Sequence, residues 1–339
     1  MSESISDFFA DALTRLCPDE RVRALEAGAD PAALWAEVDA LGFTDAMVSE
    51  AQGGAGLSLA QAAPLFVAAG RCGLPQPFGD TVVARALLAS TGQQVPSGCI
   101  ALAEARPGDG ERIDCGEVPG GALAQHVLLS QPGEWLLLPV EQAIRRPGSY
   151  RPRSSVSLHW ASARQAACRW SDMDADARPF RNAVQAATMA GAMERVLALS
   201  VDYANDRRQF GRAIGQFQAI QQELAAMAEQ ASSAAFAARL GCHAAGSRPA
   251  PLLAATAKLR ASEAALRVAQ GAHAVFGAIG ITEEHVLGVF TTRLHEWRAT
   301  GGTELTCAQE IGQAAWQGDL SFAGFVQAWL APVVVVEAD

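Results

Sequence analysis

The stretch from Tyr203 to Ala231, YANDRRQFGRAIGQFQAIQQELAAMAEQA, limits the possible folds more than any other part of this chain. Upstream of it, Val184, Met189, Met193, Val196, Leu197, Leu199 and Val201 recur at spacings that give one apolar helical face, which Tyr203 extends. Downstream, Ile220, Leu224, Met227 and Ala231 follow at intervals of three and four. Two apolar helical faces joined by a short elbow call for a helical bundle. The elbow itself holds Arg207, Arg208, Gln209, Phe210, Gly211 and Arg212. Forked cationic donors beside an aromatic plane suit a ligand with phosphates and a flat ring. The same residues also make a solvated turn whose phenylalanine plugs the core, and the elbow alone leaves both readings open.

The run RRQFGRAIGQFQAIQQELAAM resembles the signature of the acyl-CoA dehydrogenase family, in which an Arg-x-x-Phe-Gly turn and a following Phe-Gln open the C-terminal bundle. The resemblance implies a mainly α fold with an N-terminal helical domain, a small middle β domain and a C-terminal four-helix bundle. It also implies that Arg207, Phe210 and Gln218 meet the pyrophosphate and adenine side of an FAD held mainly by a neighbouring subunit. The segment Val275 to Gly280 is similar to the family's Gln-x-Phe-Gly-Gly-x-Gly turn, with Ala274 in place of the glutamine. That adds Phe276, Gly277 and Gly280 to the cofactor candidates, and Thr303 joins them from a later turn. A plain helix C-cap explains the same glycines.

At 339 residues the chain is long enough for two or three domains, and 50% hydrophobic against 18% charged residues marks it as globular. A net charge of -10 argues against nucleic acid, which wants a basic face. No continuous apolar run reaches the roughly 20 residues that span a bilayer, and the start MSESISDFFADAL does not read as a secretory signal. A cytoplasmic protein without a membrane partner is expected. The seven cysteines are scattered and the six histidines dispersed. Free thiols are therefore expected, and no metal site.

Residues 1–95 read as helices, with apolar stripes in SDFFADALTRL, PAALWAEVDALGF and SLAQAAPLFVAAGRC. A glycine turn, Glu50 to Leu57, joins the last two. Residues 96–177 change to short apolar runs, CIALAEA, HVLLS, EWLLLPV, VSLHW and AACRW, which read as strands of a shortened β domain. Here the family's Thr-Glu-Pro strand end is represented by Ala103-Glu104-Ala105 and by Pro107 to Gly110, so the hydroxyl that would face the flavin is replaced by Ala103. Residues 178–330 are helical again, with helices expected over 179–206, 214–246, 250–276, 283–297 and 303–329. Lys258 and Glu263 read as packing and ion-pair residues. The tail PVVVVEAD is open between a strand-like arm and a frayed end.

Dehydrogenating an acyl thioester takes a carboxylate for the α proton and a flavin nitrogen for the β hydride. In the resemblance, Thr300-Gly301-Gly302-Thr303 falls in register with Tyr-Glu-Gly-Thr, so Gly301 stands where the catalytic glutamate belongs. The alternative base position, around Phe180-Arg181-Asn182, also lacks a carboxylate. Three acids are candidate substitutes. Glu284 is preferred; Glu296 reads as part of a charged, water-facing surface with Arg293, and Glu304 as a helix-starting acid. The resemblance thus implies an FAD-linked acyl-CoA dehydrogenase component, similar to one subunit of the mixed complexes that oxidise steroid side-chain CoA thioesters. A sister chain would supply the base, and electron-transfer flavoprotein would accept the electrons. A homo-oligomer with a relocated base and another flavin-dependent oxidoreductase on the same fold are the alternatives.

Overall fold

The computed structural model describes residues 5–106, 111–148, 154–317 and 320–334. Five helices come first: α1 (Ile5–Leu16), α2 (Asp19–Glu26), α3 (Ala32–Asp39), α4 (Leu59–Arg71) and α5 (Phe78–Ser90). Helices α1, α3 and α4 fall on the three apolar stripes. Ser58 and Gln61 close a reciprocal capping box that starts α4. The sequence reading missed α2 and α5 for opposite reasons. Helix α2 buries only Val22, whereas α5 is buried at every position from Phe78 to Ala89 except Arg85. A helix buried all round shows no amphipathic period.

Seven strands follow: β1 (Ile100–Arg106), β2 (Ile113–Val118), β3 (His126–Gln131), β4 (Glu134–Pro139), β5 (Ile144–Pro147), β6 (Val156–Trp160) and β7 (Cys168–Ser171). They form one sheet in the order β5-β6-β2-β1-β3-β4-β7. Among the described strands of this sheet, only the β1 and β3 pair is parallel. The apolar runs marked five of these strands. β2 and β5 escaped because IDCGEV and IRRP carry charges.

The central strands are covered on both faces, so their apolar runs are continuous. Ile100, Leu102, Leu128 and Leu137 pack into the helical core, while their neighbours Ala101, Ala103, Leu129 and Leu136 pack into a separate core of the sheet. Ala103 therefore turns away from the helices and into the core of the sheet. Glu104, on the other face of the strand, reaches Arg178 and Arg181 instead. Pro107 to Gly110 lie outside the described residues.

The second helical part holds α6 (Arg178–Asp206), α7 (Gln218–Gly241), α8 (Pro251–Phe276), α9 (Leu287–Ala299), α10 (Glu304–Gln317) and α11 (Phe322–Val334). The single helix expected over 303–329 is thus two, the second reaching Val334; the rest of the tail, residues 335–339, lies outside the described residues. On α6 the buried face runs through Val184, Met189, Met193 and Val196 to Ser200 and Ala204. Val201 falls off it and is exposed. Helix α6 crosses α4 with the two backbones touching. A Cβ on Gly70 would lie 1.9 Å from the Thr188 carbonyl oxygen, and one on Gly191 1.9 Å from that of Val67. Helix α8, continued by a short turn to Ile281, is apolar and long enough to cross a bilayer, but it packs against α6, α7, α9 and α10. Its alanines let those helices approach.

Candidate functional site

The elbow between α6 and α7 is a β-hairpin, β8 (Arg208–Gln209) with β9 (Arg212–Ala213). Arg208 pairs with Ala213 and Gln209 with Arg212. Phe210 and Gly211 form its two-residue turn, both at positive φ, +50° and +82°, the pattern that matches strand twist in tight hairpins. Such a backbone is costly for a phenylalanine. The ring gains nothing from burial, since Phe210 is 91% exposed and touches Phe217 edge-on. The core-plugging reading of Phe210 is therefore wrong.

Behind the hairpin, Tyr203 stacks on Phe276 with centroids 4.3 Å apart, and the Arg212 guanidinium lies 4.0 Å from the centre of the Phe217 ring. A cleft of about 650 Å³ opens here between Arg207, Phe210, Phe217, Tyr203, Phe276 and Gly277. Four of the seven cofactor candidates, Arg207, Phe210, Phe276 and Gly277, are brought together. Gln218 sits exposed at the start of α7, next to Phe217. Gly280 is a packing glycine whose Cβ would meet Phe276 at 2.9 Å. Thr303 is elsewhere, as the residue before α10, where its hydroxyl accepts from the Thr306 amide at 3.2 Å. An exposed aromatic plane, an exposed guanidinium and a Gly277 with open space at its Cβ position fit a flat ring joined to a pyrophosphate.

The turn from α9 to α10 holds Gly301 at φ +69°. A Cβ there would lie 3.2 Å from Gln185 Oε1 and 3.6 Å from Arg181 Nη2. The next carbonyl, that of Gly302, accepts from Lys258 Nζ at 2.9 Å. Burial pushes the Lys258 ammonium down to about 7. Lys258 is thus a buried donor to the turn rather than an ion-pair residue, whereas Glu263 does pair with Arg260. Arg181 is buried, and its Nη1 donates to Glu104 Oε1 at 3.2 Å. Arg178 Nε takes the other Glu104 oxygen at 3.3 Å. Nearby, Asp80 accepts from the Leu102 amide at 3.0 Å, and burial pushes its carboxyl up to about 6.

A narrow cavity of about 60 Å³ lies between α5, α6 and α9, with Gln76, Asp80, Gln185 and Glu296 in its wall. Glu296 is fully buried, accepts from the Ser155 hydroxyl and keeps Oε2 unpartnered. Burial raises its pKa above the usual carboxylate value. Arg293 is also buried and pairs with Glu26. Neither side chain faces water, which corrects the sequence reading of this helix face. Glu284, the preferred substitute acid, stands exposed in the loop before α9, where its carbonyl accepts from Arg23. It lines neither the cleft nor the cavity. Glu304 does begin α10, paired with Arg298.

Sequence reasoning passed over Gln185, Asp80 and the environment of Arg181. The available signal was polar residues at 181, 182 and 185 within the otherwise apolar inner face of α6.

Residues 180–315 match the family described as Acyl-CoA dehydrogenase, C-terminal domain. The acyl-CoA dehydrogenase IpdE2 of Mycolicibacterium smegmatis is 30% identical over 297 residues, 86% of this chain and 92% of that protein. Among solved structures, the ChsE4-ChsE5 complex of Mycobacterium tuberculosis superimposes with a TM-score of 0.79 at 19% identity, covering 94% of this chain and 99% of the other. A variant of the Tcur3481-Tcur3483 steroid ACAD gives a TM-score of 0.76 at 22% identity, covering 91% and 95%. The two structures share the order of N-terminal helices, central sheet and helical bundle, and the IpdE2 match extends the likeness to sequence over most of the length: the chain belongs to the acyl-CoA dehydrogenase family.

Proposed function

We propose that the chain is one subunit of an FAD-linked acyl-CoA dehydrogenase that forms a double bond between the α and β carbons of an acyl-CoA thioester, in company with a sister chain that supplies the base. The observation that carries this reading is Gly301. At the register position of the family's catalytic glutamate stands a residue with no side chain, bordered by Arg181 and Gln185. A glycine takes no proton, so this chain's contribution lies elsewhere. Arg207 would hold the pyrophosphate of an FAD seated mostly in the sister chain and Phe210 its adenine ring, with Phe276 and Gly277 as further walls of the cleft. Gln218 stands beside that cleft at the start of α7, whereas Gly280 and Thr303 have no part in it. The bound flavin supplies the hydride acceptor. Electron-transfer flavoprotein then takes the electrons. Two-chain assembly is supported by the ChsE4-ChsE5 likeness, and a steroid-derived acyl group by the steroid ACAD likeness.

A second reading rests on Glu296, a buried acid in a cavity wall with one free oxygen. It makes the chain a dehydrogenase in its own right with a displaced base. One assay separates the two. The purified chain alone, given saturated acyl-CoA and an artificial electron acceptor, is expected to show only trace turnover, with full turnover after co-purification with a sister acyl-CoA dehydrogenase chain. Robust turnover by the single chain, lost in Glu296→Gln, contradicts the subunit reading and establishes the second.

A further inference from the structure

Helix α7 packs on α6 and α8 with an inner face that buries Met227, Ala231, Ala234 and Ala238. Its outer face carries Glu229, Ser232, Phe236 and Arg239, all exposed. Successive intervals of three, four and three residues keep these four in one stripe along the helix. Phe236 holds an apolar ring in water at 62% exposure. Of the three charges on α7, Glu223 is engaged by Arg267 at 2.6 Å, whereas Glu229 and Arg239 have no ion-pair partner among the described residues.

The stripe is complementary to itself. Glu229 and Arg239 lie five residues on either side of position 234, and Ser232 and Phe236 two residues on either side. When a second α7 is laid antiparallel with both helices centred on that position, Glu229 of one copy meets Arg239 of its partner, and Ser232 meets Phe236. The two-fold axis makes each contact twice. A serine opposite a phenylalanine gives the ring room at a helix spacing of roughly 8–10 Å. The two rings fall in adjacent layers about 6 Å apart along the axis, so they also cover each other. Parallel pairing sets Glu229 against Glu229 and Arg239 against Arg239, and like charges repel. A lipid surface is a poor match for a stripe with one acid, one base and a single ring. The complementarity is written in this chain alone, which makes a second copy the occupant and not the sister chain.

We propose that the outer face of α7 docks antiparallel on the same face of a second copy of this chain, with reciprocal Glu229 and Arg239 ion pairs flanking the two Phe236 rings. Sixteen residues at about 1.5 Å each separate the centre of this contact from Gln218, the end of α7 beside the cofactor cleft. The contact and the half-site therefore use different ends of one helix, and the complex carries two copies of this chain. The inference stands independently of the dehydrogenase reading.

Sedimentation equilibrium tests it on the isolated chain and on the complex co-purified with the sister chain. The proteins are wild type, Glu229→Arg, Arg239→Glu, the two reversals combined, and Phe236→Ser. One helix pair buries less than a standard interface, so the isolated wild type is expected to dimerise in the micromolar range. Each single reversal brings like charges together at both symmetric contacts and should weaken dimerisation roughly tenfold or more. Phe236→Ser removes both rings and should weaken it as well. The combined reversal restores opposite pairs and should dimerise as wild type does. An equal mixture of the two single reversals should also associate, because each offers the other the charge it lacks. All of these positions are exposed, so circular dichroism and Tm should stay constant. A wild type with one copy of this chain in both preparations overturns the inference, as do reversals that change neither. Reversals that release the sister chain, with no rescue when combined, overturn it by giving the face to that chain.

Discussion

Lys258 Nζ donates to the carbonyl oxygen of Gly302 at 2.9 Å from a position with no solvent exposure. The bond ties the middle of α8 to the turn that carries Gly301, so the shape of that turn depends on a buried amine. Burial pushes Lys258 from its ordinary value of 10.5 down to about 7. Between pH 7 and about 10.4 the unfolded chain holds a proton that the folded lysine has shed. The contribution of this residue to stability therefore rises with pH across that window. It is lowest below pH 7, where the fold must bury the charge. Lys258→Met should flatten the dependence of Tm on pH between 7 and 9. It should also cost about 1–3 kcal/mol at the upper end by leaving the Gly302 carbonyl unpaired. Melting curves at pH 6 to 9 check this, and parallel curves for the two proteins contradict it.

Glu296 makes the opposite prediction. Its carboxyl is raised by burial, so the folded state pays for the ionised form as pH rises above the ordinary carboxylate range. Glu296→Gln keeps an acceptor for Ser155 and removes the charge, and its stability relative to wild type should improve from pH 5 to pH 8. Glu296→Ala strands the Ser155 hydroxyl and enlarges the cavity, and should cost about 2–4 kcal/mol. Urea unfolding at the two pH values gives both answers.

Gly301 and Gly302 should differ sharply on substitution. Gly301→Ala meets Gln185 at 3.2 Å and must hold φ +69°, a strain of roughly 1–2 kcal/mol. Gly302→Ala would drive a methyl to 2.5 Å from Asn182 and 2.7 Å from Cys307, so it should be much the more damaging of the two. Tm values of the purified variants test the order, and equal losses would mean that the turn shifts freely.

The bundle was legible because its helices bury one face each, and the period of that face is written in Val184, Met189, Met193 and Val196. The sheet was legible where strands are apolar throughout, and illegible at β2 and β5, whose charges suit exposed edges and ion pairs. Glu296 and Arg293 were misread for a physical reason. A charged residue on a helix is normally solvated, and only the partners contributed by distant segments, Ser155 for one and Glu26 for the other, allow these two to be buried. The core-plugging alternative for Phe210 failed in the other direction, since nothing local says that an aromatic ring at a hairpin tip is left in solvent. The gap at Gly301 was visible in the motif register, but its neighbours on α6 were not, because which side chains meet across two helices is a property of the packing.

The cofactor half-site gives the most direct test. Arg207→Ala removes charge-assisted hydrogen bonds worth about 1.5–3 kcal/mol each, enough to weaken flavin binding roughly tenfold or more. The backbone bonds of Arg207 to Tyr203 and Ile214 remain, so the fold should not notice. Phe210 is 91% exposed, and Phe210→Ala should likewise lower flavin affinity with little change in Tm. The measurement is flavin affinity and Tm of the co-purified complex for wild type and both variants. The account predicts loss of flavin from each at nearly constant Tm. Full flavin retention with an earlier melt would show that the hairpin is a structural turn and contradict the half-site.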